Sequence, residues 1–219
     1  MHLDYPSLKA RQRLERAGHP TSLALRVHRA LSWLDRAERC GDDVDARFIF
    51  LWISFNAAYA NEINDRDRPS ELRTFNHFLQ KLVDLDRKKM LYELIWTEFP
   101  NSIRVLLNNR FVYQPFWDYH NGRIDGPQWE QRFAGANAAA NRALAAGNTA
   151  QVLTIVLERM YTLRNQLVHG GATWNSRVNR DQLRDCVAFL GKLVPFVILL
   201  MLDNPNTLWG DACYPVVEQ

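Results

Sequence analysis

Apolar residues recur at three- and four-residue intervals along almost the whole chain, and Gly or Pro falls between the apolar runs rather than inside them. That period predicts an all-α protein. A first amphipathic helix opens at a Thr21 or Ser22 cap and turns Leu23, Val27, Ala30, Leu31 and Leu34 onto one face. Asp43 or Asp45 opens a second, FIFLWISFNAAYANEIN, which is apolar nearly all round and is therefore expected at the centre of a bundle. This helix, over 45–62, is expected to pack against two later ones over 150–169 and 177–202.

Residues 70–85 place Leu72, Phe75, Leu79 and Leu82 on one face, an amphipathic stretch follows over 86–98, and Pro100 suits the first turn of a short helix to Leu107. The aromatic segment RFVYQPFWDYHNGRIDGPQW, with Pro115 and an Asn121-Gly122 turn signal, reads as a loop on the core whose rings fill space or stack bases. Pro127 begins an Ala-rich helix that ends near Gly147. Thr149 is expected to cap a helix over 150–169 that buries Val152, Ile155, Val156, Met160 and Leu163 and stops at Gly170-Gly171. A last helix over 176–202, kinked at Pro195, ends at Asn204-Pro205. The expected organisation is a polar arm over 1–20, one helical domain over 21–203 with extra helices and the aromatic loop at about 63–148, and a tail over 204–219.

Composition narrows the class. At 219 residues, 47% hydrophobic and net charge +3, the chain has material for a core and is neither a disordered segment nor a dense basic coat for nucleic acid. Its cations are 22 Arg against 5 Lys, and Arg is the side chain suited to forked pairing with phosphate. Cys40, Cys186 and Cys213 show neither a disulfide framework nor metal spacing, so no metal or cofactor is expected and a reducing, cytoplasmic setting fits. The opening stretch lacks the apolar core of a signal peptide, and the most apolar runs, 48–60 and 194–202, are shorter than the roughly 20 residues that span a bilayer. No membrane partner is expected.

Several polar residues invite chemistry. Arg26, Arg29 and Arg36 share an arc that reads either as a solvated face or as a phosphate contact, and Asn56 lies inside the apolar helix, where a buried amide needs partners. His2, His19, His28, His77 and His120 read as ordinary surface residues. Gly-rich phosphate loops, HExxH and the nucleophile elbow are all missing. What remains is one helix end, YTLRNQLVHGG, holding Arg164, Asn165 and His169. From 22 Arg, 16 Asn and 6 His, an Arg-Asn-x3-His match is expected by chance only roughly 0.04 times in this chain. Asn165 and His169 are neighbours at i and i+4, whereas Arg164 is about 140° away from His169 around the helix, so a tight site is easier to build where two copies meet on a two-fold axis.

This Arg-Asn-x3-His ending on a long helix resembles the signature of the HEPN superfamily. LWISFNAAYANE, LLNNRFVYQPFW and LRNQLVHGG together are similar to its Apea-like branch, over roughly residues 44–202. The resemblance implies a helical bundle with an insertion, a homodimer with facing motifs, and a metal-independent ribonuclease of a toxin–antitoxin, phage-defence or RNA-processing system. It carries over Arg164, Asn165 and His169 as catalytic residues, while Asn56 and Glu62 match less distinctive positions. RNA is the implied substrate, and an antitoxin or regulatory protein a possible partner.

The chemistry also stands on the residues alone. Attack of a 2′-OH on the adjacent phosphate needs a proton removed, a proton delivered to the 5′-oxygen and the charged phosphorane stabilised. Histidine serves as acid or base near neutrality, and Arg supplies permanent forked donors. The helix dipole favours His169 as the imidazolium, and a facing Arg164 opposes that. The expected products carry 2′,3′-cyclic phosphate and 5′-hydroxyl ends. Two rival readings are a non-catalytic HEPN-like module that binds RNA, a nucleotide or a protein, and a scaffold in which the motif only caps a helix.

Overall fold

The long apolar periods do become helices. A computed structural model describes residues 3–59 and 68–210, and among them there are ten α-helices and no strand. The helices are α1 (Tyr5–Glu15), α2 (Thr21–Glu38), α3 (Val44–Tyr59), α4 (Arg68–Leu85), α5 (Met90–Glu93), α6 (Pro100–Asn108), α7 (Gln114–His120), α8 (Gly126–Ala145), α9 (Thr149–Val168) and α10 (Arg180–Asp203). Glu62, Cys213 and His2 lie outside the described residues.

Helix α3 sits at the centre because almost every face of it is apolar, with Phe48, Leu51, Phe55 and Ala58 fully enclosed. It packs most extensively against α2, then α10, and meets α9 over only a shorter stretch. The expected contact with the last helix therefore forms, but α2 replaces α9 as the main neighbour. Asp43 caps α3 by accepting from the Ala46 N–H at 3.0 Å. Ser54 stays tolerable in this core because its hydroxyl donates to the Ala30 carbonyl of α2 at 2.6 Å. Asn56 is half-buried rather than enclosed, so it is not the orphaned amide that its neighbours suggested.

Other expectations are corrected. The polar arm is helix α1, opened by a capping box between Asp4 and Ser7 and docked through Leu8, with Arg11 paired to Asp203 at 2.6 Å. Pro20 precedes α2, and neither Thr21 nor Ser22 supplies a side-chain cap. Arg26 is buried completely and donates to the carbonyls of Ala58 and Gly210, so the arginine arc of α2 is not a common surface. The His19 side chain is largely enclosed beside Glu15. The aromatic segment forms a 3-10 turn and α7, with Phe116 buried against Phe111, Trp117 and Trp129. The start of the tail is anchored, since Trp209 is buried on Phe78 and donates to the Asn204 carbonyl at 3.0 Å.

Helix α10 runs without interruption through Pro195 and is 24 residues long. Among the described residues it is the one helix long and apolar enough to cross a membrane, a length that the run 194–202 alone does not reveal. Of its most apolar window, 72% is buried inside the fold, which is the environment of a core helix.

Candidate functional site

Helix α9 places the Arg-Asn-x3-His residues. Asn148, rather than Thr149, caps it by accepting from the Gln151 N–H at 3.0 Å, and Thr149 instead accepts from the Trp96 indole. Val152, Leu153, Val156, Leu157, Met160 and Leu163 commit one side of the helix to the core. Tyr161, Arg164, Asn165, Val168 and His169 fall at i, i+3, i+4, i+7 and i+8, so they form a second stripe about 140° wide. That stripe is only partly covered by the described residues, with the Tyr161 ring 6.1 Å from that of Trp52. Tyr161 and Val168 are 51% and 50% exposed, His169 is exposed, and Arg164 and Asn165 are half-buried.

Within the stripe Arg164 and Asn165 are joined directly. Arg164 Nη1 donates to Asn165 Oδ1 at 2.9 Å, and the guanidinium lies 6.0 Å from the Tyr161 ring centroid. The His169 ring has no hydrogen-bond partner among the described residues, so Asn165 orients the arginine rather than the imidazole. The three residues share a surface, and among the described residues only Arg164 and Asn165 are joined by a side-chain hydrogen bond.

The helix end is built to stop sharply at His169. Gly170, at φ +71°, donates to the Leu167 carbonyl at 3.3 Å, and Gly171 donates to the Gln166 carbonyl at 2.7 Å. These are the two bonds of a Schellman cap. A Cβ on Gly171 would stand 3.2 Å from that same Gln166 oxygen. Gln166 also donates to the Phe111 carbonyl at 2.6 Å, which fixes the last turn against the aromatic segment.

The loop that follows is held from the other side. Trp174 donates to Asp43 at 3.3 Å, while Asp45 Oδ2 accepts from the Asn175 N–H at 3.3 Å and from Arg180 Nη1 at 2.7 Å. Asp43 and Asp45 thus tie residues 174–180 to the start of α3. Trp174 and Val178 keep 72% and 74% of their surface exposed.

Beside the stripe lies a cleft of about 850 Å³, walled by α3, α4, α7, α8 and α9 and reached by Tyr161 and Asn165. Sequence reasoning overlooked its wall residues Glu158 and Arg159. Arg159 sits three residues after Val156 and seven after Val152, at the edge of the buried apolar arc of α9 and beside Val152 around the helix. A cation in an apolar arc is the signal that marks it. Burial pushes the Glu158 carboxyl up, opposed by Arg159, and burial lowers the Arg159 guanidinium, opposed by Tyr113 and Glu158.

Among the described residues no three His, Cys, Asp or Glu side chains gather in a way that could hold a metal ion. No family model matches the chain, and neither the curated proteins nor the solved structures show a match to it.

Proposed function

We propose that the chain is a HEPN-type, metal-independent endoribonuclease that acts as a homodimer in the cytoplasm, in a toxin or phage-defence system restrained by an antitoxin or regulatory protein. The observation that supports this most is the α9 stripe, in which half-buried Arg164 and Asn165 and exposed His169 share a partly open helical face with the exposed apolar residues Tyr161 and Val168. Isologous docking of two such stripes covers the apolar edges and brings Arg164 of one protomer toward the other protomer's His169. Arg164, steadied by Asn165, then holds the scissile phosphate, and His169 moves a proton at the 2′- or 5′-oxygen.

The test is RNA cleavage by the purified chain in EDTA, with product ends mapped. Arg164→Ala and His169→Ala are each expected to abolish cleavage. Mixing the two inactive variants is expected to restore roughly a quarter of wild-type activity, because half of the dimers regain one of two sites. Absence of any cleavage in EDTA, or full activity in His169→Ala, overturns the proposal.

One observation favours a second reading. Arg164 is already engaged by Asn165, and neither side chain hydrogen-bonds the His169 ring, an arrangement suited to holding phosphate without cutting it. In that case RNA binds saturably, Arg164→Ala weakens it, and no product forms.

A further inference from the structure

The cleft beside α9 carries an unmet cation. Arg159 is only 3% exposed, yet Nε and Nη2 of its guanidinium are buried without a hydrogen-bond partner among the described residues. Its planar faces are served by aromatic rings, with Tyr113 at 4.1 Å and Phe133 at 5.8 Å from centroid to Cζ. Ring faces attract the charge but accept nothing from the in-plane N–H groups. Leaving such donors unpaired is costly, and the cost falls when an acceptor arrives. Nε and Nη2 form one side of the guanidinium fork, the side that matches two oxygens of a single oxyanion, and because both are closed to solvent in the free chain that side meets an oxyanion only as the arginine swings toward the cleft.

The surroundings limit what that oxyanion carries. Arg123 and Asp118, at the cleft mouth, neutralise each other at 3.2 Å. Glu158 contributes negative charge to the same wall, so a multiply charged ligand meets repulsion as well as its one buried cation. The remaining lining mixes a few polar residues with an aromatic group of Trp52, Tyr59, Phe75 and Tyr161, in which Trp52 and Tyr161 have ring centroids 6.1 Å apart. At about 850 Å³ the space belongs to the size class of small-molecule sites and exceeds what the anionic group alone would fill.

We propose that this cleft is a binding site for a flat organic monoanion, a carboxylate or a singly charged phosphate diester on an aromatic body, whose oxygens pair with Arg159 while its ring lies among the aromatic walls. This site is separate from the proposed cleavage chemistry and does not depend on it, although Asn165 borders both.

The experiment uses the full chain and two dyes that share one ring system. 1-Anilinonaphthalene-8-sulfonate carries a single negative charge, and N-phenyl-1-naphthylamine lacks it. The charged dye is expected to bind once per chain and at least tenfold tighter than the neutral one. Arg159→Gln is expected to erase that preference. Ala139→Trp, which fills the cleft without altering Arg159, is expected to exclude both dyes, and His169→Ala to change neither. Benzoate or diphenyl phosphate, each a monoanion, is expected to displace the charged dye, and the one that does so identifies the oxyanion. Equal affinity for the two dyes in the wild type overturns the proposal, as does a preference that survives Arg159→Gln, binding that survives Ala139→Trp, or displacement by neither anion. Native melting by circular dichroism is the entry condition for each variant. If Arg159→Gln does not fold, the wild-type comparison and Ala139→Trp decide the matter by themselves.

Discussion

Removing the carboxylate of Asp45 tests how the segment after His169 is held. Asp45 and Arg180 are 12% and 13% exposed at their side chains, so water replaces the lost partner poorly. Asp45→Ala takes away one short charge-assisted bond to Arg180 at 2.7 Å and a longer one to the Asn175 N–H at 3.3 Å. A largely buried charge left without its partner costs about 3 kcal/mol, toward the lower end for such pairs because both groups keep slight contact with solvent. In a chain of this length that corresponds to a fall in Tm of roughly 6–12 °C. The assay is a double-mutant cycle with Arg180→Met, read by thermal and urea unfolding. The double variant is expected to be more stable than the sum of the two single losses implies, with a coupling energy of about 2 kcal/mol. Coupling below about 0.5 kcal/mol would show that the pair behaves like an exposed surface bridge and would refute the reasoning.

Other outcomes follow from single residues. Gly170→Ala forces a side chain into φ +71° and is expected to cost about 1 kcal/mol of stability in urea unfolding; no loss would mean that the cap rearranges freely. Burial lowers the His28 imidazole below its ordinary value, helped by Lys9, Arg16 and Arg29. The unfolded chain then binds the proton more readily, so His28 lowers stability at acid pH and this loss disappears as pH rises to the ordinary value of about 6.5. Melting temperature for His28→Gln minus wild type should therefore be positive near pH 5 and fall toward zero above pH 7. Cys186 is buried and its thiol is pushed well up by burial and Asp185, so iodoacetamide mapping should show labelling there only after unfolding, whereas the half-buried Cys40 labels in the native state.

The sequence made the long helices legible because each buries a broad apolar arc. Leu23, Val27 and Leu34 on α2, and Val152, Val156 and Met160 on α9, declare their faces without any tertiary information. What periodicity could not convey was choice of neighbour. Helix α3 is apolar on all sides, and such a helix does not say whether α2 or α9 lies beside it. Arg26 misled for a related reason, since its burial depends on the distant carbonyls of Ala58 and Gly210. Helix α1 was hidden because only Leu8 and Gln12 enter the core, too few to set a period. In the candidate site, the chain revealed that Arg164, Asn165 and His169 share an end of α9, but not that Asn165 would be taken by Arg164. The cleft around Arg159 needed five helices to come together and has no local pattern beyond one misplaced cation.

The tie from Asp43 and Asp45 to residues 174–180 also bears on association. A loop that hung free beside the α9 stripe would have to surrender its backbone entropy on docking, at roughly 1 kcal/mol or more for each residue fixed. Here Trp174, Asn175 and Arg180 are fastened before a second surface approaches. Folding has already met that ordering cost for these residues, so a partner that docks on the proposed α9 surface does not have to meet it again.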